Sequence, residues 1–269
     1  MPTERTREEE WYKMLTEGEP IPRRIYHLHG LLPSDPRCKL CASPFKGWGG
    51  FLMHLLGRDQ SKYNPRFCQA CEKFDHPGGA EVVLTMLFAD VRDSTKLAER
   101  MSAKEFSRLI NRFYTVATHV LVQSDALVDR LMGDEAIGLF IPGFAGPEHP
   151  RRAIEAAQDL LRLTGHRDAK GPWLPVGIGV HTGPAYVGVV GGEENPMDFT
   201  ALGDNVNITA RLATEARTGE IFISEAAYSA ANIKIEDLDA RQLELKGKRE
   251  PVNVHVLRVA REWEDRVSM

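Results

Sequence analysis

The sequence lacks a long apolar run and an excess of basic charge. Its longest apolar candidate, from Gly49 to Leu56, is about half the roughly 20 residues that a membrane helix needs, and His54 interrupts it. The N-terminal stretch MPTERTREEEWYK is acidic and has no apolar core, unlike a secretory signal. A formal net charge of −4 disfavours a nucleic-acid-binding surface. We therefore expect a cytoplasmic protein that has neither a membrane nor a nucleic acid as its partner.

Cysteine is also scarce, but its four copies form a pattern. They are two C-x-x-C pairs, Cys38 with Cys41 and Cys68 with Cys71, separated by 26 residues. Disulfides are rare in reducing compartments, so this clustering predicts a tetrahedral thiolate site, most simply one structural Zn²⁺. Four thiolates also suit iron, which makes an iron–sulfur cluster the main alternative. Unpaired thiols and a redox pair are less favoured interpretations.

A composition change near Pro77–Gly79 predicts a domain boundary. Residues 1–79 are rich in Pro, Gly and Arg and are too few to build an adequate core without a metal. Residues 80–259 form the main domain, and 260–269 form a tail. A short docking helix is expected from Glu8 to Leu15. The residues on its apolar face are Trp11, Met14 and Leu15.

After this boundary, apolar periodicity predicts alternating strands and helices. The order is strand, helix, strand, strand, helix, strand, followed by extra elements, which is an α+β fold with a ferredoxin-like βαββαβ core. The predicted elements are a strand Val82–Phe88, a helix Ala98–Val122, a hairpin of Ala126–Arg130 and Ala136–Ile141, a helix Arg151–Leu163, a second hairpin of Val176–His181 and Ala185–Val190, a helix Asn205–Ala216, and strands Glu220–Ser224 and Val252–Leu257.

Two acidic residues stand where these strands end or turn. Asp90 ends the first strand and Asp134 lies in the first hairpin turn, so neighbouring strands would bring both carboxylates together. Paired carboxylates that hold two divalent cations are typical of phosphoryl displacement, although each Asp alone suits a turn or a cap. The segment after Asp90 turns from strand into helix, where backbone N–H groups can bind phosphate. The predicted phosphate-binding residues there are Asp93, Ser94 and Thr95; for Ser94 or Thr95 an N-cap is an equal alternative.

Four separated blocks closely resemble the class III adenylate and guanylate cyclases. They are LFADVRDST, RLMGDEAIGLF, VGIGVHTGPAYVGVVG and FTALGDNVNITARL, and the match extends over residues 82–258. The resemblance implies an enzyme that converts a nucleoside triphosphate to its 3′,5′-cyclic monophosphate and pyrophosphate. It also implies two Mg²⁺ or Mn²⁺ ions in each active site. Residues 1–79, which hold the four cysteines and are called the cysteine module below, lie outside the matching region.

The resemblance further implies roles for individual residues. Asp90 and Asp134 correspond to the metal-binding aspartates, assisted by the carbonyl of Val91. Asn207 and Arg211 correspond to the pair that orients the ribose and stabilises the pentavalent phosphate, and their spacing puts them on one helix face. In this family the metals and the Asn/Arg pair come from different subunits, which implies a head-to-tail homodimer with composite sites. The residues implied for triphosphate binding are Lys246 or Lys248.

Base selection is where the chain departs from the family pattern. Thr200 fits one of the two base-reading positions, but the other is Arg130, where adenylate cyclases have a lysine. Arginine is a planar fork and lysine a point donor, so this exchange is not neutral. ATP is the expected substrate. The alternatives are cyclisation of GTP, production of cyclic UMP or CMP for phage defence, and a non-catalytic cyclase-like module that binds nucleotide.

Overall fold

A computed structural model describes residues 4–18, 23–33, 36–38, 40–61, 67–71, 78–192, 195–233, 238–244 and 251–258. The helices are α1 (Glu4–Glu17), α2 (Arg23–Gly30), α3 (Gly47–Leu55), α4 (Ser94–Arg100), α5 (Ala103–Gln123), α6 (Pro142–Ala145), α7 (His149–Leu163), α8 (Asp204–Glu215) and α9 (Glu225–Ala231). The strands are β1 (Gly78–Val91), β2 (Leu127–Met132), β3 (Glu135–Phe140), β4 (Val176–Gly192), β5 (Asn195–Leu202), β6 (Glu220–Ser224), β7 (Asp239–Leu243) and β8 (Val252–Arg258).

Within these ranges the strands form one sheet. Its order is β2-β3-β1-β4-β6-β8-β7, with β5 paired to the free end of β4. Strands β1 to β4 therefore lie in the order 4-1-3-2, with α4 and α5 before β2 and α7 before β4. The predicted α+β fold with a ferredoxin-like core is confirmed.

The two faces of the sheet are covered differently. On one face, β1 residues such as Leu87 and Ala89 pack with apolar residues of α5, α7 and α9. On the other face, the alternate β1 residues Leu84 and Met86 belong to a cluster that also holds residues of α1, α8 and the four cysteines. The N-terminal module thus packs on the same sheet face as α8.

The predicted docking helix is present as α1, and it is longer than expected. Leu15 is fully buried and Met14 nearly so, in the same cluster as the strands. The Trp11 ring lies 6.1 Å from that of Phe199 on β5. The backbone of α1 also lies close against α6, since a Cβ on Gly143 would come within 2.4 Å of the Met14 carbonyl oxygen.

The predicted single helix from Ala98 to Val122 is wrong. The chain instead forms α4 and α5, with a break at Met101 and Ser102. Ser102 is the N-cap of α5, and its hydroxyl and the Glu105 carboxylate form a reciprocal capping box. This S-x-x-E pattern starts a new helix even though apolar periodicity continues through it.

The predicted second hairpin, with its turn at Thr182–Pro184, is also wrong. β4 runs unbroken through these residues and pairs antiparallel with β1 along its length. Its Gly and Pro residues look like turn signals, but Gly183 gives room for Asn205, which a Cβ would approach to 2.7 Å. Pro184 lies between the stretches of β4 that pair with β6 and β5.

Three further elements after β4 were not predicted from the sequence, nor were the helices α2, α3 and α6. β5 pairs with the end of β4, α9 follows β6, and β7 lies beside β8 at an edge of the sheet. Two are short, and β7 (DARQL) carries charges that hide its alternation. In the part of the chain described, no helix has the length and apolarity needed to cross a membrane.

Replacing Leu15 with Ala tests the docking of α1. We expect the free energy of unfolding to fall by about 2–5 kcal/mol, since a fully buried leucine leaves a cavity. Urea unfolding followed by circular dichroism measures this, with Tyr12→Ala as the control because Tyr12 is 53% exposed. Equal stability of the two variants would show that α1 does not dock.

Candidate active site

Strand pairing brings Asp90 and Asp134 to the same corner of the sheet. β1 and β3 are antiparallel neighbours, and Asp90 lies in register with Glu135, the residue after Asp134. The amide of Val91 donates to the carbonyl oxygen of Asp134 at 3.0 Å. The β2–β3 turn is therefore fixed beside the end of β1, which places the residues predicted to bind metal next to one another.

Both carboxylates already have partners within the chain. The Asp90 carboxylate pairs with the guanidinium of Arg92, and the Ser94 hydroxyl donates to Asp134. Arg92 also donates to the carbonyl oxygen of Thr214, at the end of α8, at 2.6 Å. The Arg92 cation thus neutralises part of an acidic corner and links it to α8.

A third carboxylate at this corner was missed from the sequence. Burial raises the pKa of Glu135, and the nearby charge of Asp134 raises it further. Burial lowers the pKa of Arg92, against the opposing effect of Asp134. Glu135 directly follows the predicted Asp134, and this adjacency is the signal that identifies it.

The donor set at this corner fits a hard divalent cation. Asp90 and Asp134 supply carboxylate oxygens, which Mg²⁺ and Mn²⁺ prefer. The Asp90 side chain is 15% exposed, so it can be reached from solvent. A bound cation would replace Arg92 and Ser94 as partners of these oxygens.

The predicted phosphate-binding residues lie at the start of α4. Asp93 precedes the helix with φ of 54° and pairs with Lys96 rather than capping α4 through its side chain. Ser94 is the first helical residue, and its hydroxyl is bonded to Asp134. Thr95 is exposed. These residues thus lie next to the acidic corner, while Lys246 and Lys248 lie outside the described residues.

Helix α8 rests directly on β4 because glycines remove the side chains between them. A Cβ on Gly179 would come within 2.5 Å of the Ala213 nitrogen, and one on Gly177 within 2.4 Å of the Ala216 carbonyl oxygen. At the other end, the Asn205 Oδ1 accepts a hydrogen bond from His181 Nε2 at 2.8 Å, and the Asn205 Nδ2 donates to the Pro184 carbonyl oxygen at 2.7 Å. Both ends of the helix are therefore fixed on the strand.

Asn207 and Arg211 lie on the face of α8 that points away from β4. Asn207 is exposed and Arg211 is partly exposed. The residues on the opposite face, which are buried, are Ile208, Thr209, Leu212 and Ala213. Asn207 also lies about 10 Å along the helix axis from Thr214, the contact of Arg92. The pair therefore projects outward from its own chain.

Thr200, one of the two predicted base-reading residues, contacts Asp129, which directly precedes the other, Arg130. A register shift in β2 between Val128 and Arg130 leaves Asp129 as the extra residue. The Thr200 hydroxyl on β5 donates to the Asp129 carboxylate at 3.2 Å, and Arg130 is exposed. Asp129 was missed because a bulge changes which side chain faces inward, and sequence alternation does not reveal it.

The four cysteines form a compact cluster. Their sulfur atoms all lie within 4.8 Å of one another, and those of Cys41 and Cys68 are 3.6 Å apart. A tetrahedral Zn²⁺ site with Zn–S bonds of about 2.3 Å has S–S separations of about 3.8 Å. The cluster therefore has the donors and the spacing for one metal ion.

Polar groups around this cluster stabilise the negative charge of cysteine thiolates. The Arg58 guanidinium lies 3.6 Å from Cys41 Sγ, and the Cys68 amide donates to Cys38 Sγ at 3.3 Å. Burial raises the pKa of Cys38, whereas hydrogen bonds from the neighbouring thiols lower that of Cys41. A cation among the four sulfurs would stabilise all four of them as thiolates, so that they would no longer compete for protons.

The loop of the cysteine cluster also contacts the sheet beside the predicted base-reading residues. Ala42, directly after Cys41, packs with Val122 at the end of α5 and with Val128 on β2. Val128 immediately precedes Asp129 in the β2 bulge. All four cysteines belong to the same apolar cluster as the β1 residues Leu84 and Met86. The module and the sheet therefore share a packed interior.

Known proteins resemble this chain over the same region. Residues 80–258 match the model of the adenylate and guanylate cyclase catalytic domain. The terminal-differentiation-specific adenylate cyclase of Dictyostelium discoideum is 29% identical over 64% of this chain and 8% of its own length. Adenylate cyclase 1 of Rhizobium meliloti is 28% identical over 48% of this chain and 20% of its own. The chain thus spans a fifth or less of these curated relatives.

Solved structures agree with the match. The guanylyl cyclase Cya2 superimposes with a TM-score of 0.61 at 26% identity, covering 67% of this chain and 93% of its own. The adenylyl cyclase CyaB from P. aeruginosa gives 0.57 at 25% identity, covering 66% and 95%. The family model spans well over half of the sequence, and it includes the acidic corner and helix α8. Through residues 80–258, this chain belongs to the adenylate and guanylate cyclase catalytic domain family.

Proposed function

We propose that this protein is a nucleotidyl cyclase that converts ATP to 3′,5′-cyclic AMP and pyrophosphate at composite sites of a homodimer. The observation that carries the proposal is the coexistence of two half-sites in one chain. Asp90 and Asp134 form an acidic corner at the end of β1, and Asn207 and Arg211 project outward from α8. A second copy can bring its α8 face opposite the first copy's acidic corner.

In the proposed reaction the ribose 3′-hydroxyl attacks the α-phosphorus and loses its proton, while the bond to the pyrophosphate oxygen breaks. Two divalent ions held by Asp90 and Asp134 would lower the pKa of that hydroxyl and neutralise the triphosphate. Asn207 would orient the ribose. Arg211 would donate to the α-phosphate oxygens, where charge develops in the transition state.

The orientation of α8 favours action in trans. Within one chain, the Arg92–Thr214 contact lies between the acidic corner and the helix. Asn207 and Arg211 lie on the face of α8 opposite its buried residues, so they point away from their own β4. A single chain would therefore bind metal and lack the groups that stabilise the transition state.

Mixing two inactive variants tests the composite site. Asp90→Asn and Arg211→Ala should each lower kcat by about 10²-fold or more, because one removes a metal ligand and the other a charge on the transition state. Random exchange of subunits should restore about a quarter of the wild-type sites, since each mixed dimer keeps one intact site. Cyclic product is measured by mass spectrometry.

Two controls make this result interpretable. Asp159→Asn, on an exposed part of α7, should leave activity unchanged, and light scattering should show that mixed dimers form. Mixed dimers without recovered activity would refute the composite arrangement. Full activity of Asp90→Asn alone would refute the metal assignment.

ATP is the proposed substrate because two relatives are adenylate cyclases and Thr200 fits the base-reading position. The Thr200 hydroxyl holds the Asp129 carboxylate, which can accept a hydrogen bond from the 6-amino group of adenine. The same pair gives a second candidate, GTP. A carboxylate can accept from both N1–H and the 2-amino group of guanine, and the neighbouring Arg130 can donate to O6.

Competition among nucleotides decides between these bases. With equal ATP, GTP, CTP and UTP and either Mg²⁺ or Mn²⁺, we expect cyclic AMP to be the main product by mass spectrometry. Asp129→Asn should reduce kcat/KM for the preferred nucleotide about tenfold, because a charged acceptor becomes a neutral amide. Predominant cyclic GMP would favour the second candidate, and no cyclic product from a folded dimer would refute the enzyme.

We also propose that the cysteine cluster holds one structural Zn²⁺. The purified protein should be colourless and contain about one zinc per chain by elemental analysis. Cys38→Ser should lower both the zinc content and the Tm, since three buried thiolates would lose their fourth partner. Gln69→Ser is the control, because Gln69 lies exposed between Cys68 and Cys71 and its side chain is no metal ligand. Brown protein with bound iron would overturn the zinc assignment.

A further inference from the structure

Helix α3, between the two cysteine pairs, points its large apolar side chains outward. Trp48 is 83% exposed and Leu55 is 65% exposed, although both belong to residue types that proteins usually bury. The exposed members of this face are Trp48 (83%), Phe51 (57%), Leu52 (44%) and Leu55 (65%), with Leu56 (62%) directly after the helix. Positions 48, 51, 52 and 55 follow the i, i+3, i+4, i+7 pattern of a single helix face.

The opposite face of α3 explains why these residues face solvent. It buries Gly49, Gly50 and Met53 against the module. A Cβ on Gly49 would come within 2.5 Å of the Pro33 carbonyl oxygen, and one on Gly50 within 2.5 Å of the Phe45 carbonyl carbon. The helix can therefore dock only through its small residues, and it cannot rotate to bury Trp48 without a steric clash.

Two aromatic side chains of the exposed face contact each other. The rings of Trp48 and Phe51 pack edge to face, with their centroids 6.1 Å apart. Five adjacent large side chains present an apolar patch on the order of several hundred Å², the size that marks an interaction surface on a soluble protein. On the preceding helix α2, Leu28 is 63% exposed, and Leu31 just after it is 62% exposed.

The charge of the segment that carries this face indicates the nature of its partner. Residues 37–71 contain six Lys or Arg and one Asp, a formal +5, in a chain whose net charge is −4. Four thiolates with one Zn²⁺ would add −2, which leaves about +3. Lys46 is exposed and directly precedes α3, and Arg58 lies three residues after the last residue of α3. The apolar face therefore lies on a segment of net positive charge.

A second copy of this chain fits the face poorly, since a two-fold contact through α3 would bring two positive segments together. Nine residues are too few to cross a bilayer. Apolar and aromatic residues on one face with cations beside them are the features of helices that lie in a membrane interface. We propose that the α3 face docks this protein reversibly on an anionic lipid surface, with Trp48, Phe51 and Leu55 inserted between headgroups.

This inference goes beyond the proposed cyclase activity and does not depend on it. Docking through α3 would hold the cysteine module at the membrane surface, while the proposed catalytic residues lie on other elements of the chain. It would place the proposed synthesis of the cyclic nucleotide beside a membrane.

Vesicle flotation with the full-length, metal-loaded protein tests the proposal. We expect binding to vesicles of phosphatidylcholine with about a third phosphatidylserine, weaker binding to phosphatidylcholine alone, and loss of binding in high salt. Trp48→Ser combined with Leu55→Gln should weaken binding about tenfold or more. Lys46→Gln should weaken it about fivefold, and only on the anionic vesicles.

Matched measurements keep the outcomes distinct. Tyr12→Ser removes an exposed aromatic residue elsewhere and should bind vesicles like the wild type. The α3 variant should keep its zinc content, Tm and lipid-free cyclase activity, because its altered side chains are exposed. No binding to anionic vesicles, or equal binding by the α3 variant, would overturn the proposal. Dissociation of a dimer by the α3 variant, without vesicle binding, would assign the face to protein contact instead.

Discussion

The direct contact between helix α8 and strand β4 is the constraint on which the rest of the site depends. Gly177, Gly179 and Gly183 have no side chains, so α8 lies on the strand at backbone distance. His181 and Ser224 then hold the start of the helix through Asn205. With both ends fixed, the helix has one rotation about its axis, and that rotation turns Asn207 and Arg211 outward. The glycine pattern in VGIGVHTG therefore determines where the proposed transition-state groups point.

Within one chain, a single side chain links the acidic corner to the end of α8. Arg92 bridges the acidic corner and the end of α8, so it neutralises Asp90 and ties β1 to the helix within one chain. Asp90, Asp134 and Glu135 place three carboxyl groups beside the Arg92 cation, and burial together with the charge of Asp134 raises the pKa of Glu135, so a bound cation would be favoured at this corner. A chain that carries both proposed half-sites, with Asn207 and Arg211 on the outward face of α8, fits the homodimer proposed above.

Much of the fold was predictable from the sequence because its strands are apolar and its helices periodic. Val82–Phe88 and Glu220–Ser224 were found directly, and the order of elements gave the ferredoxin-like core. The errors arose where one residue type serves two purposes. Gly183 and Pro184 signal a turn in isolation, but they accommodate α8 in the folded chain, and Ser102 restarts a helix whose apolar pattern continues. For the proposed site, the strand order predicted from the sequence brings Asp90 and Asp134 to one corner, while Asp129 depends on a bulge that only strand pairing reveals.

Packing connects the cysteine module to the proposed base-reading edge. Ala42 follows Cys41 and contacts Val128, which precedes Asp129 in the β2 bulge, and Asp129 holds Thr200. A shift of the Cys41 loop on loss of the proposed zinc would therefore change the packing around Val128, on the strand that carries Asp129 and Arg130. Helix α3 projects from the loop between the same cysteine pairs, so its proposed membrane contact would act on that loop as well. The cysteine cluster thus packs with the strand that carries the proposed base-reading residues, and the loop between its two pairs carries the proposed membrane face.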